Sequence, residues 1–427
     1  MELYSEIVII ALLLGILTIT PALSTVTDRA VIDSTGRISD ILAVTAESGY
    51  WQHIQAAIDE VHGQGDGEVH IPAGTWDFVH SGEIWTGNGG QPRVSVPAGV
   101  SIFGAPNNRD SNGQNTEWRT VLKLPSSVAG GWEYGGISWF KISGSGAGSP
   151  FTRFSDLKLV GYRSIDSNDP YVQTGVYLSN IGEFRVDHCY FEHTCLSGVK
   201  VTGVDSHGVI DHCRFVNPVG TVGSTMNDCS VFYGVSLARG SGDLWDSNVQ
   251  NVLGKYTSYT VFIEDCYFSR WRHCTASNSG AHYVLRHSII ENDFGYGSVD
   301  AHGWGEVDAS GVITQVGTRA VEIYNCQITS ATKYGWSTYI RGGAGVAFDN
   351  SVGGGTYTAF IYLSNEADSA ISKCWSKDWY IWGNSLNNGC KLLVGNNADI
   401  REGYEYFLYQ PSWYTPYKYP HPLTATP

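Results

Sequence analysis

The chain has 427 residues, room for two or three average domains, and a formal charge of −15. That acidity argues against a nucleic-acid partner, because phosphate binding needs a basic surface. With 51 glycines and only 16% charged residues, it suits a β-rich body with many turns better than one of long charged helices.

Residues 7–27 carry no charge. The apolar core Ile7–Ile19, followed by Pro21 and Ala22-Leu23-Ser24, reads as a secretory signal (1–24) with cleavage after Ser24. The flank Met1–Glu6 has two Glu and no Lys or Arg, and 21 uncharged residues are also long enough to span a bilayer. A retained membrane anchor is therefore the alternative, and both place the body outside the cytoplasm. Residues 25–49 are polar and read as a linker or arm.

From Trp51 to Val61, apolar residues fall at 51, 54, 57/58 and 61, a helical spacing. Gly63, Gly65 and Gly67 end that helix. Val69-His-Ile-Pro-Ala-Gly-Thr-Trp76 then alternates like a strand and turns, and Val96–Gly104 repeats the idea.

A six-residue phrase recurs beyond this point. It is Val-Asp-His-Cys-Tyr-Phe at 186–191, Ile-Asp-His-Cys-Arg-Phe at 210–215 and Ile-Glu-Asp-Cys-Tyr-Phe at 263–268. It continues as Leu-Arg-His-Ser-Ile-Ile at 285–290 and Ile-Tyr-Asn-Cys-Gln-Ile at 323–328, with looser copies near 348–352 and 371–375. Its Cys/Ser position falls at 189, 213, 266, 288, 326, 351 and 374. A period near 23 with two insertions is a solenoid signature. Stacked coils would set these small residues in a buried ladder, since free Cys behaves as a small hydrophobe. Such a ladder is favoured over a disulfide framework. With no CxxC pair, a structural zinc site is disfavoured. Asp187, Asp211, Glu264 and Arg286 would form a charged column facing outward, with Glu264 and Arg286 paired across coils.

The arrangement Ile54-Gln-Ala-Ala-Ile-Asp59, Gly67-Glu-Val-His-Ile-Pro-Ala-Gly-Thr-Trp76 and Val100-Ser-Ile-Phe-Gly104 resembles the opening of the pectate-lyase-like superfamily. The resemblance implies a right-handed parallel β-helix over 50–400, with the short helix covering the first coil. It says little about chemistry, because that superfamily includes lyases, hydrolases, epimerases and tailspike-type binders. The Tyr- and Pro-rich segment 401–427 would cap the last coils, since the open end of a parallel stack must be covered.

A second ladder runs out of phase with the first. Its copies include Gly175–Asn180, Gly198–Gly203, Gly234–Arg239, His273–Asn278, Ser298–Gly303, Thr338–Gly343 and Phe360–Asn365. Alternation along a strand would point Tyr177, Lys200, Ser236, Thr275, Asp300, His302, Tyr339 and Arg341 outward. With strands ~4.8 Å apart, Asp300, His302 and Arg341 would meet on neighbouring rungs. They are the candidate catalytic residues. Asp300 would act as acid, base or cation ligand, and His302 as proton carrier. Arg341 would be a carboxylate clamp or the base.

His273, Tyr339, Lys200, Tyr177, Trp304 and His282 are the candidate substrate contacts. The insertion Gly303–Gly317 would build one wall of the site and 240–259 the other. Trp and Tyr, 14 and 25 in number, supply flat faces for sugar rings as well as core packing.

Polygalacturonase-type hydrolases carry Asn-Thr-Asp, Asp-Asp, Gly-His-Gly and Arg-Ile-Lys. This chain has none of these, and its His302-Gly303 follows Ala301. A hydrolase would need a second carboxylate near Asp300, for which Glu306 and Asp308 are the near candidates in sequence. Three functions remain as expectations. The first is an extracellular polysaccharide lyase on a uronic-acid glycan, with Ca2+ as candidate cofactor. The others are a non-catalytic glycan-binding or surface β-helix, and a hydrolase. The partner in each case is a polysaccharide.

Overall fold

The computed structural model describes residues 25–32, 38–80, 84–85, 93–124, 129–130, 137–161, 173–194, 196–217, 232–240, 248–292, 297–330, 335–353, 357–366, 372–395 and 400–425. The expected signal or anchor, 1–24, lies outside them. Among the described residues no helix is long and apolar enough to cross a membrane.

The chain winds into a right-handed parallel β-helix, a solenoid as the repeats indicate and of the kind the resemblance implies. Three long sheets run its length, one of thirteen strands and two of ten. Each coil contributes a strand to sheet I (for example Glu183–Asp187), then to sheet II (Tyr190–Glu192), then to sheet III (Ser197–Thr202). Successive coils pair in parallel, so Val186 lies beside Ile210, Ile210 beside Ile263, and Ile263 beside Leu285. Alternate residues point into one continuous core. Phe191, Phe215 and Phe268 stack there with ring centroids 5.0 and 4.7 Å apart.

The corner between sheets I and II explains the recurring phrase. One residue there adopts left-handed backbone in eight successive coils, from the third onward. Asp156, His188, His212, Asp265, His287, Asn325, Asp349 and Gly383 all have φ between 50° and 64°. Asp, Asn and His tolerate this conformation better than other side chains, and Gly accepts it freely. The His of Asp-His-Cys is thus a corner residue. Cys189, Cys213, Cys266 and Ser288 follow it into the core, all buried, and Cys326 continues the column.

The ladder departs from expectation in its last two members. Ser351 is exposed, and Cys374 is buried beside Val316, apart from the stack. Asn350 and Asn384 occupy those positions, as the pairing of Tyr324 with Phe348 and of Phe348 with Trp382 requires. Their hydrogen bonds show why the substitution works. Cys213 Sγ donates to Val186 O of the preceding coil at 3.6 Å, Cys266 Sγ to Ile210 O at 3.5 Å, and Cys326 Sγ to Leu285 O at 3.6 Å. Asn350 Nδ2 donates to Ile323 O at 2.9 Å, and Asn384 Nδ2 to Ala347 O at 2.9 Å, the equivalent carbonyls. Thiol and amide satisfy the same buried acceptor. The seven cysteines among the described residues are all free thiols.

The helix Trp51–Gly63 buries Ile54, Ala57, Ile58 and Val61 against the first coil, as its spacing requires. Thr25–Ile32 and Ile38–Thr45 make an antiparallel hairpin whose second strand pairs with Gly67–His70 and so extends sheet I.

The column on the outer side of sheet I faces outward but is not exposed. Asp187, Asp211, Glu264 and Arg286 have no accessible surface. Three segments cover them. Residues 110–118 lie over the first coils, where His188 Nε2 meets Gly113 O at 2.9 Å. Val249, Val252 and Leu253 pack on Val209, Phe262 and Val284. The C-terminal tail does not stop over the last coils. It runs back along sheet I, where Arg286 donates to Tyr417 O and Lys418 O and Glu264 accepts from His421 N. The described part of the 240–259 insertion, from Asn248 on, therefore helps to cover sheet I, and residues 241–247 lie outside the described residues.

Candidate functional site

The outer column of sheet III, read along the stack, is Ser95, Lys141, Tyr177, Lys200, Ser236, Ala276, Asp300, Tyr339, Tyr362 and Val394. Asp300 thus sits on the outer side, as alternation predicts. Thr275 does not. It pairs with Val235 and Val299, points inward and is fully buried, within 3.2 Å of the Tyr283 hydroxyl. The copy at 273–278 lacks the leading Gly of its neighbours, so alignment on its first residue slips by one.

His302 and Arg341 each follow the end of their strand on neighbouring coils, with Arg341 Nη2 2.7 Å from His302 Nε2. Arg341 Nη2 donates to Asp300 Oδ1 and Oδ2 at 3.0 and 2.9 Å, and His302 Nε2 donates to Asp300 Oδ2 at 2.9 Å. A fourth group, absent from the sequence reading, closes the set. Glu366 Oε1 accepts from Arg341 Nη1 at 2.7 Å and lies 3.4 Å from His302 Nδ1, while its Oε2 accepts from Gly303 N at 2.7 Å. Glu366 lies just beyond the quoted copy Phe360–Asn365. The signal for it was a carboxylate in the turn one rung above Arg341.

The result is two carboxylates alternating with two cations. Burial alone would raise the Asp300 carboxyl, but His302, His273 and Arg341 outweigh it and hold it far below the usual carboxylate range. Glu366 is likewise lowered, burial being overcome by His302 and Arg341. Burial would lower His302, yet Asp300 and Glu366 raise it to about 9. The same pair raises Arg341 further against the effect of burial. Arg341 is therefore unsuited to act as a base, and both its terminal nitrogens are committed to the chain's own carboxylates. His302, at about 9, is the member of the set that titrates closest to neutrality, and a quarter of its side chain is exposed, 27%.

His273 is buried beside this set. Its Nδ1 donates to Gly297 O at 2.6 Å and its Nε2 lies 3.9 Å from Asp300, while burial lowers its pKa to about 4 and keeps it neutral. Tyr339 carries the Arg341 guanidinium 4.8 Å over its ring, and Trp336 stacks on Tyr362 at 4.1 Å. These half-buried rings form an aromatic platform next to the ions.

Trp304 is 40% exposed, at the root of a small hairpin pairing Glu306–Val307 with Ile313–Gln315. Glu306 and Asp308 are exposed on that hairpin, so neither is the second carboxylate of the set. Gly303 is required where the hairpin leaves the coil, because a Cβ there would lie 2.1 Å from Arg341 O.

His282 is not part of the site. It lies on sheet I, fully buried, with Nε2 3.0 Å from Glu322 and Nδ1 3.0 Å from Thr260 Oγ1. Tyr177 and Lys200 share the sheet III face with Asp300, four and three rungs away. Among the described residues, no group of three or more His, Cys, Asp or Glu side chains is arranged to hold a metal ion.

No protein-family model matches the chain, and no curated protein sequence matches it. Among solved structures it is similar to a mutant tailspike protein of E. coli bacteriophage HK620 in complex with a pentasaccharide. The two share 17% identity with a TM-score of 0.48, over 85% of this chain and 58% of that one. It is also similar to ORF18 of Geobacillus virus E2, with 13% identity and a TM-score of 0.45, over 83% of this chain and 60% of that one. The chain thus spans less than two thirds of the length of either structure.

Proposed function

We propose that this is an extracellular carbohydrate-active protein that binds a polysaccharide along sheet III and acts on it at His302. The observation that carries the reading is the set of Asp300, His302, Arg341 and Glu366 beside the Trp336–Tyr339–Tyr362 rings. Sugar rings stack on such aromatic faces, and a proton carrier at the edge of the platform would meet the sugar backbone.

The reaction that suits these groups is β-elimination on a uronic-acid glycan. His302, in its neutral form, takes the proton α to the sugar carboxylate. The C–O bond to the neighbouring sugar breaks, a C=C bond forms, and the proton passes to the leaving oxygen. Asp300, Glu366 and Arg341 are positioning residues that hold the imidazole and set its basicity. Hydrolysis by a carboxylate pair fits less well. It needs a protonated acid, and both carboxyls here are held ionised.

A second reading, a non-catalytic glycan-binding or surface protein, is favoured by one observation. All four charges are already partnered within the chain. The two readings separate on incubation with polygalacturonate and other acidic glycans. Lyase action releases products absorbing in the ultraviolet, with rates rising towards about pH 9 as His302 loses its proton, and His302→Gln abolishes them. Binding without product from any glycan would establish the second reading.

A further inference from the structure

Resting on that glycan reading, we infer that Lys141, Tyr177 and Lys200 form an anion subsite for carboxylate or sulfate groups of the polysaccharide. These residues occupy three successive rungs of sheet III's outer column. The two ammonium groups lie 5.4 and 5.1 Å from the Tyr177 ring centroid, so they flank the ring from the rungs on either side of it. Thr202 Oγ1 donates to the Tyr177 hydroxyl at 3.0 Å and fixes that edge of the ring. All three side chains are half-buried, which leaves them reachable.

Their lack of a carboxylate partner sets these lysines apart from the cations of the two ion networks. Arg153, Arg185, Arg286 and Arg341 each hold a carboxylate, and Lys158 holds Glu192 at 2.9 Å. Among the described residues, no carboxylate lies within ion-pair distance of Lys141 or Lys200. The chain is strongly acidic overall, so a polyanion would be repelled from most of its surface. Two uncompensated ammonium groups on one face give it a local landing point.

The geometry also sets a length. Between Lys200 and Asp300 the column carries only Ser236 and Ala276, a floor of small side chains. At ~4.8 Å per rung, Tyr177 lies about 19 Å from Asp300. One polymer lying in this trough would span several sugar units, with its anionic groups read far from His302.

The test uses the full chain and its Lys141→Gln/Lys200→Gln double variant, with calorimetric titration at two salt concentrations. The probes are polygalacturonate for carboxylate, chondroitin sulfate for sulfate and dextran as neutral control. The expected result is that at least one anionic polymer binds more tightly than dextran and weakens with salt. The double variant should lose about 2- to 30-fold in affinity for it, with its unfolding midpoint unchanged. The preferred polyanion identifies which group the subsite takes. Binding that ignores both substitutions, or dextran bound as tightly as the polyanions, overturns the subsite and leaves the glycan reading standing. If none of the three polymers binds, both fall.

Discussion

The two ion networks of this β-helix use the same chemistry on different faces. On sheet I, Arg153 holds Asp187, Arg185 holds Asp211 and Arg286 holds Glu264, all sealed under loops and the C-terminal tail. On sheet III, Arg341 holds Asp300 and Glu366, with His302 left at the surface. Both faces carry Asp–His pairs, and His188 and His212 each sit within 2.9 Å of the preceding Asp. What separates them is cover. A paired charge under a tail is structural, whereas a raised imidazole with an open edge is available for chemistry.

The largest expected effect comes from breaking the sealed network. Arg286→Met leaves Glu264 buried without its cation and strips two tail carbonyls of their donor. It should cost about 3–5 kcal/mol in denaturant unfolding and free the tail to proteolysis. An equally severe loss for Arg341→Met would erase the distinction between the faces.

His302→Gln should lower turnover about 100-fold or more. Its unfolding midpoint should be reduced below about pH 9, where the raised imidazole stabilises the fold, and match the parent above it. A variant that unfolds without losing rate would make sheet III merely structural. Tyr414→Phe removes the 2.6 Å hydrogen bond to buried Glu322. It should cost about 1.5–3 kcal/mol, read in the same denaturant curves, with turnover untouched.

The faces should also respond to pH in opposite directions. His302 has a folded pKa raised to about 9. Its contribution to stability is complete below the unfolded value of about 6.5 and is lost as pH rises through 9. His421, under the tail, is lowered to about 4 by burial. Its neutral form is favoured, so stability is present above about 6.5 and declines as pH falls towards 4. His302→Gln should flatten the alkaline limb of a stability–pH curve and leave the acidic limb alone. The smallest effect is expected from Cys213→Ser, under about 1 kcal/mol, because Ser288 already fills an equivalent slot. A loss of several kcal/mol on unfolding would show that the thiol column does more than pack and donate.

Much of this was legible in the sequence because coil repeats expose register. The inward Cys column, the helix over 51–61 and the outward Asp300 follow from periodicity, and the helix's place over the first coil follows from the family resemblance. The failures have local causes. Asn350 and Asn384 were missed because an amide replaces a thiol as the buried donor, so identity changes while function does not. Thr275 was misplaced by a single-residue slip, which in a strand exchanges the two faces. Glu366 lies in a turn, where alternation has no say. The column faces outward as periodicity predicts, but its burial is not legible there, because its covers, 110–118, 249–253 and the tail, come from distant parts of the chain.

The single left-handed residue between sheets I and II has a wider consequence. It leaves that corner no slack. From the coil of Asp156 onward the long excursions, 303–317 among them, leave from the other two corners, whereas the second coil, before this residue appears, sends out 105–119 at this one. The other two corners are where the later coils can acquire new surfaces without disturbing the stack. One residue added between Asp187 and Tyr190 would instead turn the following strand inside out. The fold thus partitions its own capacity for change, with one edge held fixed as the measure against which the other two are free to grow.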